Sequence, residues 1–137
     1  AEKTVLPLAG LHLLLAEDNE LNSEIATTLL EEQGASITAV ENGRLALEAI
    51  QNAAPRTYDA ILMDVMMPEM NGLEATRCIR AFEGKGPGEG TPIIAMTANV
   101  FADDVKACLD AGMNSHVGKP LDMKVLIGEI LKYTNAR

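Results

Sequence analysis

Four apolar runs in this sequence end in residues that can do chemistry. "DAILMD" ends in Asp64, and "LHLLLAED" ends in Glu17 and Asp18. "TPIIAMT" ends in Thr97, and "SHVGK" ends in Lys119. A single strand-end aspartate is readily explained as a helix cap. Three acids gathered from two runs are a different matter, because crowded carboxylates repel and one becomes hard to ionise unless a cation joins them. Mg²⁺ suits such a group, since it takes oxygen ligands and is commonly held by one or two carboxylates plus waters and phosphate oxygens. With an ammonium and a hydroxyl beside the metal, the set is suited to a phosphoryl group. The metal and Lys119 would spread the negative charge that resists attack, and Thr97 would donate a hydrogen bond to a phosphoryl oxygen. Asp64 would be the nucleophile, forming an acyl phosphate.

These residues meet only if the runs are parallel strands of one sheet. The order of elements supports that. A strand is expected over Leu11 to Ala16. The helix "NELNSEIATTLLEEQG" follows, amphipathic through Leu21, Ile25 and Leu29 and stopped by Gly34. "ASITAV" is β-branched and short, a second strand. "ENGRLALEAIQNAAP" gives a helix with Leu47 and Ile50 inward, ending near Pro55. The strand "YDAILMD" precedes a third helix with Ala75, Cys78, Ile79 and Phe82 on one face. "TPIIAM" is the fourth strand, and a helix near Val100 to Ala111 is expected to turn Phe101, Val105, Cys108 and Leu109 inward. "SHVGKP" holds a short fifth strand, and the last helix, from Asp122 to about Thr134, aligns Met123, Leu126, Ile127, Ile130 and Leu131.

Five strand–helix repeats imply an α/β fold, a parallel sheet covered by helices on both faces. Continuously apolar strands agree with that burial. In an open parallel sheet, ligands collect beyond the carboxyl ends of the strands, where all five chemical residues stand.

Composition sets the outer limits. The chain has 137 residues, near the usual size of one domain. With aromatics at 3% and no Trp, its core must be built from Leu, Ile, Val, Ala and Met. A formal net charge of -9 argues against direct nucleic-acid binding, which needs a basic footprint. No run is long enough for a membrane helix, so no direct membrane contact is expected. Cys78 and Cys108 lie outside any C-x-x-C pair or metal spacing and are read as buried, reduced thiols. The Gly-rich "EGKGPGEG" lacks the Gly-Lys-Ser/Thr ending of a phosphate loop and precedes a strand, so it reads as a mobile surface connection and no nucleotide cofactor is expected. Residues 1–10 carry Pro7 and Gly10 without a clear period and are read as a linker from a preceding region, with the domain proper over 11–137.

"LLLAEDNELN", "DAILMDVMMPEMNG", "PIIAMTAN" and "SHVGKPLD" together resemble the receiver domain of two-component response regulators, over about residues 11 to 134. The resemblance implies a doubly wound, flavodoxin-like (βα)5 fold with a five-stranded parallel sheet of order 2-1-3-4-5. It implies that Asp64 is the phosphoacceptor and Asp18 a metal-binding carboxylate, with Glu17 helping through water. The backbone carbonyl of Met66 is implied as the third protein contact to Mg²⁺, and Thr97 and Lys119 as the phosphate-sensing pair. It further implies a cis bond between Lys119 and Pro120. The wording "AEDNELN", "AMTAN" and "KPLD" is closest to receivers of hybrid histidine kinases. That likeness implies a phosphorelay station, taking its phosphoryl group from a phosphohistidine of a histidine kinase domain and passing it to a histidine phosphotransfer domain. The alternative is a stand-alone receiver acting as a phosphorylation-controlled protein-binding switch. Either form would catalyse its own phosphorylation and dephosphorylation in a cytoplasmic setting, the hybrid form tethered to a membrane-bound sensor kinase.

Three positions refine this picture. His116 stands where the family often has Tyr or Phe, and would turn inward as Thr97 moves, bringing a titratable ring to the switch. Ala98 is small, which leaves the donor a path to Asp64. Met66, two residues beyond Asp64, occupies the place the family uses to tune hydrolysis. It also removes a rival, the haloacid dehalogenase type of phosphatase, which needs an acid there. A flavodoxin-like cofactor binder would need a hydroxyl- or Gly-rich loop after strand one, where this chain has Glu17-Asp18-Asn19-Glu20. A receiver that no longer takes phosphate is disfavoured by Glu17, Asp18, Asp64, Thr97 and Lys119 occurring together.

Overall fold

Short polar side chains start most of the helices. In the computed structural model, which describes residues 6–98 and 101–134, Asn19 caps α1 (Glu20–Glu32) by accepting from the Asn22 N–H at 2.9 Å. Asn42 does the same for α2 (Gly43–Asn52) at Leu45 N. At α3 (Gly72–Glu83), Asn71 and Glu74 form a reciprocal capping box. Asp122 accepts from the Lys124 N–H at the start of α5 (Met123–Thr134). α4 (Ala102–Ala111) has no side-chain cap; Asp103 and Asp104 in its first turn complement the positive end of the helix instead. Val100, its expected start, lies outside the described residues, as does Asn99.

The strands are β1 (His12–Ala16), β2 (Ser36–Val40), β3 (Ala60–Asp64), β4 (Ile93–Thr97) and β5 (Ser115–Gly118). All pairings are parallel, in the order β2-β1-β3-β4-β5. The expected doubly wound fold is therefore present. β3 and β4 are buried along their whole length.

Alternation along the strands divides the core into two layers. Leu13, Leu15, Leu62, Ile94, Met96 and Val117 pack with Ala26 and Leu30 of α1 and Leu126 and Ile130 of α5. Leu14, Ala16, Ile61, Met63, Ile93 and Ala95 pack with Ala46 and Ile50 of α2, Ala75 and Ile79 of α3, and Cys108 of α4. Leu8 joins the first layer, fully buried, and its N–H donates to Gln33 O at 2.9 Å, so residues 6–10 lie against the domain.

Several expected inward positions face outward. Phe101 is 73% exposed, Phe82 is 52% exposed and Leu109 is 47% exposed. Ala75, Ile79 and Cys108, expected on the same faces, do turn to the sheet. The stripe Leu21, Ile25 and Leu29 also lies on the outside of α1, where Ala26 and Leu30 make the core contact. Cys108 is buried and Cys78 half-buried, both as free thiols.

The Gly-rich connection runs over the surface, as expected, and carries hydrogen bonds of its own. Gly90 N donates to Gly86 O, and Asn114 Nδ2 donates to Pro87 O. Beneath it, buried Arg80 donates to Gly112 O, Thr91 O and Asn114 Oδ1 and pairs with Glu83 at 3.1 Å.

Candidate functional site at the carboxyl rim of the sheet

Strand parity decides which of the rim residues touch. Leu13 and Leu15 point into the α1/α5 layer, and Glu17 continues the same parity. Ala60 and Leu62 lead to Asp64 in the same way, and Val117 leads to Lys119. Register brings them to one height: Ala16 is level with Met63, Asp64 with Met96, and Thr97 with Gly118. Three further main-chain bonds extend the sheet past its strands, Glu17 N to Val40 O, Val65 N to Met96 O and Lys119 N to Thr97 O.

The result is a compact charged group. Carboxylate oxygens of Glu17, Asp18 and Asp64 lie within 4.8 Å of one another. Lys119 Nζ is 2.9 Å from Glu17 Oε1 and 3.2 Å from Asp64 Oδ2. Asn19 N donates to Glu17 Oε2, and Met66 N donates to Asp64 Oδ1 at 3.3 Å. Glu17 and Asp64 are buried while Asp18 is exposed, so the cluster opens to solvent on one side. The Lys119–Pro120 bond is cis, in line with the resemblance.

The electrostatics follow from that crowding. Burial, then the hydrogen bond and charge of Glu17, push the Asp64 carboxyl up to about 6 against the pull of Lys119. Burial works to raise Glu17 as well, but its hydrogen bonds with Asp64 and Lys119 prevail and hold it below the usual carboxylate range. Lys119 is stabilised as a cation: burial opposes its charge, and the two carboxylates outweigh that cost. Without a second cation, one ammonium therefore serves two buried acids, and Asp64 is the one left short of charge compensation.

Close approach shapes the loop after Asp64. A Cβ at Gly72 would collide with the Asp64 carbonyl, so only glycine lets α3 begin directly against the acid. The Met66 side chain projects outward, 75% exposed, beside the acid it follows. Thr97 is buried at the end of β4, and Ala98 beyond it is exposed. His116 is half-buried on β5, level with Ala95 and one strand position short of the rim, so the structure does not bring it to the carboxylates.

Two features were not anticipated at this site. A cleft of about 540 Å³ runs beside it, lined by Glu17, Ile25, Leu29, Met96, Lys119 and Pro120. The exposed stripe of α1 thus borders the acidic rim directly. The loop of residues 65–71 is also anchored to α2, through Glu69 and Met70. A second cleft of about 350 Å³ lies at the opposite, amino end of the sheet near Tyr58, Phe82 and Lys85, away from the acids.

Comparison with known proteins agrees with this architecture. The chain belongs to the receiver-domain family: the response regulator receiver domain matches residues 13–131. It is 41% identical to a probable histidine kinase 1 of Oryza sativa subsp. indica, over 82% of this chain and 14% of that protein. The chain thus spans about 14% of the length of that curated relative. Among solved structures it resembles the receiver domain of a sensor histidine kinase of Pseudomonas aeruginosa, with magnesium coordinated in that protein's active-site cleft. Identity is 37% and the TM-score 0.80, covering 93% of this chain and 99% of that one. It also resembles the receiver domain of a Saccharomyces cerevisiae response regulator solved with a histidine phosphotransfer protein, at 25% identity and a TM-score of 0.83. That likeness covers 93% of this chain and 91% of the other.

Proposed function

We propose that this receiver domain is a phosphorelay station, taking a phosphoryl group from a phosphohistidine onto Asp64 and passing it to a histidine phosphotransfer domain. The observation that carries this reading is the cluster itself: Asp64, buried, lies with Glu17 and Asp18 and 3.2 Å from the Lys119 ammonium. The donor set is all oxygen and anionic, which fits Mg²⁺. Glu17, Asp18, Asp64 and the backbone carbonyl of Met66 would hold the ion. When bound, Mg²⁺ supplies positive charge that compensates the acids and the phosphoryl oxygens together.

The side chains do the rest. Ionised Asp64 attacks phosphorus in line; the P–N bond breaks, and its electron pair returns to the imidazole, which takes up a proton. Lys119 stays charged throughout and balances the equatorial oxygens. Thr97 moves to donate its hydroxyl to one of them, and His116 follows it inward as the switch. Ala98 leaves the approach open. The donor and acceptor helices dock on α1, whose Leu21, Ile25 and Leu29 offer an apolar face next to the rim.

The partners this implies are a histidine kinase domain and a histidine phosphotransfer domain. Similarity to histidine kinases and to a receiver solved with a phosphotransfer protein supports them. A connection from a preceding region would enter the domain through residues 6–10, where Leu8 packs into the core. No helix among the described residues is long and apolar enough to cross a membrane. A cytoplasmic domain, tethered through that preceding region to a membrane-bound sensor, suits the same reading.

The direct test is transfer from a radiolabelled phosphohistidine protein in Mg²⁺. Label is expected on the wild type and absent from Asp64→Asn. Label reaching the Asn variant reassigns the acceptor, and no transfer to a histidine phosphotransfer domain afterwards removes the relay role.

A further inference from the structure

The loop between β3 and α3 carries an unusual residue. Glu69 has a left-handed backbone, φ 65, which glycine adopts freely and a residue with a side chain adopts at a cost. Its carboxylate offers the compensation. Glu69 Oε2 accepts from Arg44 Nε at 3.2 Å and from Asn42 Nδ2 at 3.4 Å. Both partners are themselves held. Buried Asn42 uses its Oδ1 to cap α2, and Arg44 also pairs with Glu48 one turn along.

The next residue repeats the attachment. Gly43 N donates to Met70 O at 2.9 Å, and a Cβ at Gly43 would strike that carbonyl. At its other end the loop closes on itself, with Gly72 N donating to Val65 O at 3.0 Å. Met66 lies between these anchors, its N–H on Asp64 Oδ1.

We propose that Glu69 is a positioning residue for the acceptor site: gripped by Arg44 and Asn42, it fixes the loop that presents the Met66 main chain to Asp64. The inference rests on the proposed function, in which the Met66 carbonyl helps to hold the metal. The Arg44 and Glu69 side chains are about half exposed, at 51% and 58%, and exposed pairs add little to global stability. The effect of the grip therefore belongs to the loop and the ion rather than to the melting temperature.

The test compares Arg44→Ala, Glu69→Gly and the double variant with the wild type. Two readouts are taken by NMR: amide exchange over residues 66–70, and a titration with MgCl2. Exchange is expected to speed up about fivefold in either single variant, with an unchanged Tm in Arg44→Ala, where no backbone strain is altered. The Mg²⁺ dissociation constant should rise about threefold to tenfold, and the double variant should bind no worse than the weaker single. Glu69→Gln, which keeps the acceptor, should recover part of the affinity. Wild-type Mg²⁺ affinity in both single variants overturns the positioning role and leaves the proposed function standing. A wild type that shows no Mg²⁺ response overturns both.

Discussion

Lys119 Nζ sits 3.2 Å from Asp64 Oδ2 while making a closer bond, 2.9 Å, to Glu17. One ammonium thus bridges two buried carboxylates drawn from different strands. Burial first, and then the hydrogen bond and charge of Glu17, make Asp64 the acid whose proton is held, and the more distant Lys119 offsets only part of that.

Replacing the ammonium separates its two roles. Lys119→Ala removes a positive charge next to the metal position, so Mg²⁺ is expected to bind at least as tightly as in the wild type. The phosphorylated variant should show a blunted amide-shift response around Thr97, because the proposed sensing cation is gone. Amide NMR with MgCl2 and then a phosphodonor checks both. Loss of Mg²⁺ binding in Lys119→Ala would contradict this division.

The raised Asp64 pKa fixes a pH dependence. Its folded value of about 6 lies above the ordinary 3.8, so folding favours the protonated form. The stability it contributes is fully present below about pH 3.8 and is lost as pH rises through about 6. Asp64→Asn, which cannot ionise, should therefore be more stable than the wild type at pH 8 in chelator, by about 1–2 kcal/mol after allowance for solvent screening. The gap should close toward pH 4. Thermal unfolding by circular dichroism measures it; an Asn variant less stable at pH 8 refutes the assignment.

Mg²⁺ should act on the same balance from the other side. Binding to the ionised cluster displaces the Asp64 proton, so affinity is expected to increase as pH rises from 5 to 7, through the value of about 6. The wild type should gain thermal stability with added MgCl2, and Asp64→Asn should gain much less. Equal gains in the two proteins would place the ion elsewhere.

Arg80 predicts a purely structural effect at the far end of the sheet. Its guanidinium holds Thr91, Gly112, Asn114 and Glu83 together in a buried network. Arg80→Met leaves Glu83 without its cation and should cost about 3–5 kcal/mol. Arg80→Lys should recover only part of that, since a lysine cannot reach three carbonyl oxygens with one fork. Denaturant unfolding reads the loss, and a cost under about 1 kcal/mol would show the network to be dispensable.

The α1 stripe separates docking from folding. Leu21→Ser and Ile25→Ser replace side chains that are 64% and 49% exposed, so each should change stability by less than about 0.5 kcal/mol. The pair should weaken capture of a histidine phosphotransfer domain about tenfold or more. Unchanged affinity, measured by calorimetry, would move the docking face away from α1.

How much of this was legible without coordinates depended on which physical signal a residue obeys. The strands were readable because β1, β3 and β4 are short apolar runs bounded by turn residues, buried on both faces. The rim followed from asking what stands at each strand end, and Glu17, Asp18, Asp64 and Lys119 do come together. Helix periodicity was a weaker guide. It identifies an apolar stripe but not its side, and on α1 Leu21, Ile25 and Leu29 face solvent while Ala26 and Leu30 face the sheet. Phe82, Phe101 and Leu109 misled for the same reason. The anchoring of Glu69 on Arg44 had no local signal, because it joins the β3–α3 loop to the first turn of α2, 25 residues apart in sequence. The network under the Gly-rich connection was hidden likewise, since Asn114 reaches Pro87 across 27 residues.

The central claim is that Asp64 becomes a phosphoryl acceptor when a divalent cation compensates its neighbours. Intact-mass spectrometry after incubation with acetyl phosphate tests it directly, with and without MgCl2, on the wild type and Asp64→Asn. One added phosphoryl group is predicted on the wild type in Mg²⁺, and none in chelator or on the variant. An unmodified wild type in Mg²⁺, or equal labelling of the variant, would contradict the account.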